Sequence, residues 1–143
     1  MKAALLLRIA AVMALLHGVL HTIGGVFGKA APGAQAVAVA AMEANRFTAM
    51  GVNRTYMDYL MGYGLLTTVK FLVETAVFWQ LGSMAQTYGR QIRPLIMVFC
   101  VGYLASAVLA WRYFFAGPAV FEVVIALCLL GAWVLSGRAE RTA

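Results

Sequence analysis

The chain has 143 residues, of which 64% are hydrophobic and only 11% charged, and it carries a net charge of +6. Water-soluble domains average about 25% charged residues, and a domain this small has too much surface to hide so much apolar side chain from water. Composition therefore excludes an ordinary soluble fold and makes lipid part of the solvent.

Backbone groups in hydrocarbon need internal hydrogen-bond partners, so membrane spans are helices or closed barrels. A barrel would show segments of about ten residues with strict alternation. The apolar runs here are continuous and about twice that length, which predicts helices. The basic balance does not point to nucleic acid, because no basic cluster exceeds two residues. Basic residues that flank membrane spans account for it.

The first predicted span covers residues 5–28. It holds both histidines of the chain, His17 and His21, one helical turn apart, followed by Gly24, Gly25 and Gly28. Reading it as a cleaved signal peptide, with Ala34-Gln35-Ala36 at the cleavage site, is disfavoured. The apolar stretch is too long for such a core and histidines interrupt it. Pro32 and Gly33 break the helix. Residues 34–50 are rich in alanine and predict a short helix lying at the membrane interface.

The second predicted span, residues 56–81, is unusual in carrying Asp58, Lys70 and Glu74. A polar loop follows, and Pro94 is expected to open the third span, residues 94–114. Gly117 and Pro118 predict a tight connection into the fourth span, residues 119–136. The expected fold class is therefore all-α: one integral membrane domain over 1–143, an up-down four-helix bundle with a short interfacial helix between the first two spans.

Four spans put both termini on one side. That side collects Lys2, Arg8, Arg90, Arg93, Arg138 and Arg141, and the other collects Lys29, Arg46, Arg54 and Arg112. The excess predicts cytoplasmic termini and a multi-pass protein of the cell inner (plasma) membrane. Small residues repeat every four positions at Ala10, Ala14 and Gly18, and at Gly102, Ser106 and Ala110. Such faces let helices approach closely.

Ionisable groups at membrane depth cost about 2.5 to 3.5 kcal/mol on insertion scales, so they should face inward and find partners. Lys70 and Glu74 are spaced to pair on one helix face, with Arg8 as another partner for Glu74. His17 and His21 have the i, i+4 spacing of a helical metal site. Their further ligands would have to come from Asp58 or Glu122. Haem ligation and a purely structural role, with Tyr63 or Thr67 as hydrogen-bond partners, stand beside that reading. Asp58, Arg112 and Glu122 are expected near the outer helix ends as an ion cluster. Tyr56, Tyr59, Trp111, Tyr113 and Phe114 form an aromatic belt at that level, or line a pocket for a lipid or quinone-like ring. Cys100 and Cys128 form no metal or redox motif.

Three blocks, His21-Thr22-Ile23-Gly24, Phe47-Thr48-Ala49-Met50-Gly51 and Gly62-Tyr63-Gly64, resemble in order and spacing an uncharacterised family of small bacterial four-span membrane proteins. Members of that family often have a second histidine after the first block, where this chain has Gly25. The architecture is also similar to that of the DoxX-like proteins. The resemblance implies that residues 47–51 belong to a defined element, with Phe47 and Met50 inserted between helix ends.

The sequence contains no nucleotide-binding loop, no nucleophile beside a base and no CxxC pair. The leading expectation is a non-enzymatic accessory or interaction subunit of a membrane complex, with other subunits or a second copy as partner. A metal- or haem-binding redox protein using the first-span histidines, an enzyme with a lipid or quinone pocket, and proton-coupled transport through Lys70 and Glu74 are the alternatives.

Overall fold

The computed structural model describes residues 2–137, and Arg138 and Arg141 lie outside that range. It is 82% helical. In chain order the elements are α1 (Lys2–Leu20), a π-helical turn (His21–Val26), α2 (Ala34–Ala44), strands β1 (Arg46–Ala49) and β2 (Val52–Thr55), α3 (Tyr56–Met84), α4 (Gly89–Tyr113) and α5 (Ala116–Ser136). Four helical stretches, Lys2–Val26, Tyr56–Met84, Gly89–Tyr113 and Ala116–Ser136, are long and apolar enough to cross a membrane. Their outward faces carry large apolar side chains such as Leu66, Val98, Val108 and Leu127, all exposed. An apolar exterior over four spans is what hydrocarbon selects. The chain is a multi-pass membrane protein.

Contacts divide the described residues into two units: residues 2–17 with 71–137, and Gly18–Lys70. The first unit is the bundle. Residues of α1, the second half of α3, α4 and α5 bury one core, with Leu7, Phe78, Ile96, Ile125 and Leu129 completely enclosed. The α1 contribution is mostly alanine: Ala3, Ala4, Ala10, Ala11 and Ala14 are all buried. Small side chains let neighbouring backbones come close, which is how helices gain contact where lipid gives no hydrophobic drive. Gly82 shows how close. A β-carbon built there would lie 3.3 Å from the Ala4 carbonyl oxygen and 3.6 Å from Leu7 Cβ.

Several boundaries differ from the sequence expectation. The interfacial helix ends at Ala44, not near residue 50, because the chain turns into an antiparallel hairpin pairing Arg46 with Thr55 and Ala49 with Val52. Met50 and Gly51 form its two-residue loop, both at positive φ (50° and 79°). That is the backbone pattern whose twist matches a tight hairpin. Strand-favouring Thr48, Val52 and Thr55 surround it. α4 begins at Gly89, so Pro94 lies inside the helix instead of opening it. Its ring supplies no N–H to the helix at that point. α5 starts at Ala116 and places Pro118 in the first turn, where no N–H is required.

The close approach at Gly82 gives the first prediction. Gly82→Leu should lower stability by about 1–3 kcal/mol through overpacking. Gly102→Leu, where nothing lies within 4 Å of the added carbon, should leave it unchanged. Thermal unfolding of both variants in detergent, followed by circular dichroism, checks the pair.

Candidate functional site

The bundle interior holds a layer of buried polar side chains to which each of its four helices contributes a member. His17 comes from α1, Glu74 from α3, Tyr103 from α4 and Glu122 from α5. All four are buried, with relative exposures of 7%, 7%, 2% and 5%. His17 Nδ1 lies 3.6 Å from Glu122 Oε1. The Tyr103 hydroxyl donates to Glu74 Oε2 at 2.6 Å, a short bond of the kind a carboxylate accepts.

Aromatic rings complete the surroundings of the imidazole. Its centroid is 4.4 Å from that of Phe71 and 5.0 Å from that of Phe121, the second ring being stacked at 22°. Two phenyl rings exclude water from its faces and raise the strength of any charge interaction it makes.

Helix geometry sets the depth of this layer. At a rise of about 1.5 Å per residue, His17, Tyr103 and Glu122 lie roughly 21–22 Å along their helices from the end where α1 begins, and Glu74 roughly 15 Å. Counted from the opposite helix ends, Tyr103 lies roughly 15 Å and Glu122 roughly 9 Å in. Between the layer and the near end lie Leu7, Phe78, Leu81, Ile92, Ile96 and Leu129, with Ser136 buried at the end of α5.

Of the residues singled out from sequence, His17 and Glu122 are brought together. Arg112 is exposed at the end of α4, its guanidinium 5.6 Å from the Tyr113 ring centroid. Glu74 has a partner that the sequence reading missed, Tyr103. A phenol within an apolar span needs a hydrogen-bond partner, and that was the available signal. Arg8, the other partner expected for Glu74, instead lies over the Trp79 ring at 5.4 Å.

His21, Asp58 and Lys70 belong to the second unit. His21 Nε2 donates to the Gly64 carbonyl at 3.1 Å. Thr22 and Thr68 meet at 2.9 Å beside it. Asp58 caps α3: its carboxylate accepts from the Thr55 backbone N–H at 2.9 Å, and its own N–H donates to Thr55 Oγ1 at 2.9 Å. This reciprocal box is written in the sequence as Thr55-Tyr56-Met57-Asp58. Lys70 is exposed. Phe47 packs against Tyr56 and Tyr59 at 5.0 and 5.5 Å, while Met50 is fully exposed at the hairpin tip and inserts nowhere in this unit. Among the described residues, no three His, Cys, Asp or Glu side chains form a group able to hold a metal ion.

No family model matches this sequence, and neither the curated proteins nor the solved structures contain a match to it.

Two predictions follow from these contacts. Tyr103→Phe should cost about 1–3 kcal/mol, because it strips a buried carboxylate of a donor. A double-mutant cycle with Glu74→Leu should show coupling of at least about 0.5 kcal/mol, measured by unfolding in detergent. Asp58→Ala should cost about 0.5–2 kcal/mol by uncapping α3, and the same unfolding assay reads it.

Proposed function

We propose that this protein handles protons inside the bilayer, with His17, Glu74, Tyr103 and Glu122 as its acid–base groups. One observation carries the reading: two carboxylates, an imidazole and a phenol, one from each helix, are buried inside an apolar four-helix bundle. Ionisable groups are expensive there and mark proton relays and substrate sites when present. Imidazole and carboxylate exchange protons readily near neutral pH, and the Tyr103 hydroxyl bridges toward the second carboxylate. The apolar core on the near side favours proton exchange with one face of the membrane only. This supports a relay that ends inside the bundle, serving a membrane-soluble reactant, over a path running through the protein. With the basic residues gathered at the end where α1 begins, the termini are cytoplasmic and the membrane is the inner one.

Infrared difference spectra recorded across a pH titration test this. Wild-type protein in lipid vesicles should show carboxyl bands that change with pH. Glu74→Gln and Glu122→Gln should each remove one of them, and the vesicles should not become proton-leaky. Spectra in which neither substitution alters a pH-dependent carboxyl band would overturn the reading.

A second reading, an accessory subunit of a membrane complex, is favoured by one face of α4. Gly102 there is open, flanked by exposed Val98, Val101, Ala105 and Leu109. A glycine on an apolar face invites another helix. Co-purification of a stoichiometric subunit that Gly102→Leu abolishes would support it. A haem- or metal-bound state through the histidines is distinguished from both by the visible absorption and metal content of gently purified protein.

A further inference from the structure

A second feature of the bundle lies away from the buried layer. An open groove of about 350 Å³ runs along α1 against α3, lined by Leu5, Arg8, Ile9, Val12, Met13 and Trp79. Its lining surface is apolar, with the Arg8 side chain contributing its stem. The Arg8 guanidinium sits over the Trp79 ring, 5.4 Å from the centroid. No carboxylate lines the groove, and among the described residues Arg8 makes no ion pair.

The depth of these groups is informative. Arg8 is six residues from the start of α1 and Trp79 five from the end of α3. Both therefore lie roughly 8–9 Å along the helix from the same end of the bundle, a depth from which an arginine side chain can reach the headgroup boundary. Val12 and Met13 continue the groove toward the bilayer centre. A positive charge at the boundary with an apolar slot beneath it matches an anionic amphiphile: phosphate above, acyl chain below. Stacking on Trp79 holds the guanidinium in place, and its planar fork suits a phosphate better than an ammonium does. Lys2, one and a half turns nearer the helix end, adds to the positive field.

We propose that this groove binds an anionic phospholipid, its phosphate on Arg8 and an acyl chain along Ile9, Val12 and Met13. The site is independent of the buried acid–base layer. It gives the protein a preference for anionic lipid that the other faces of α1 do not supply.

Native mass spectrometry of the full chain released from detergent tests this, with dioleoyl phosphatidylglycerol and dioleoyl phosphatidylcholine supplied at equal concentration. Wild-type protein should retain phosphatidylglycerol in preference by about five-fold, the factor expected for one interfacial arginine. Arg8→Gln should abolish the preference. Val12→Trp, at an exposed position that the fold does not need, should fill the slot and reduce retained phosphatidylglycerol with Arg8 intact. Equal retention of the two lipids by wild type would overturn the proposal, as would an Arg8→Gln variant that keeps the preference. Displacement of phosphatidylglycerol by an equal concentration of oleate would overturn the assignment to a phospholipid.

Discussion

Hydrocarbon offers no hydrogen bonds, and most features of this protein answer to that constraint. Backbone groups satisfy themselves in four long helices. Hydroxyls on the spans turn back to carbonyls one turn earlier, as Thr67 does to Tyr63 and Thr75 to Phe71. The buried polar side chains pair across helices, His17 with Glu122 and Glu74 with Tyr103. A charged or polar group in such a medium has two options, to reach the interface or to find a partner. Arg112, exposed at the end of α4, takes the first course, and the four buried groups take the second.

Close helix packing supplies what the hydrophobic effect cannot supply between helices already in lipid. The alanine face of α1 and the contact at Gly82 bring backbones together. Packing and chemistry are thus linked: the 2.6 Å bond between Tyr103 and Glu74 requires α3 and α4 to be held at a set separation. The Gly18–Lys70 unit is built differently. Its polar groups serve local structure, with Asp58 capping α3, His21 bonded to the Gly64 carbonyl, and the hairpin turned at Met50 and Gly51.

Much of the architecture was legible because membrane spans are long and compositionally simple. The hairpin was not, since alanine-rich helix runs directly into it and its turn has Met50 where asparagine or aspartate is usual. The internal position of Pro94 escaped because proline more often opens a helix than sits within one. At the site, His17 and Glu122 were recognisable as costly groups in apolar runs. His21 and Asp58 looked equivalent to them. They differ only in that one meets a backbone carbonyl and the other a helix end, and spacing along the chain does not encode such contacts beyond the Thr55–Asp58 box.

The amino-acid order alone determined the medium, the number of spans and the presence of ionisable groups within them. Each of those follows from local composition over some twenty residues. Tertiary structure alone decided which groups meet. His17 and Glu122 are more than a hundred positions apart, and Tyr103 and Glu74 lie on different helices. Their pairing depends on how four helices rotate about their own axes, and that rotation is set by the summed packing of small and large side chains along every contact, not by any one segment.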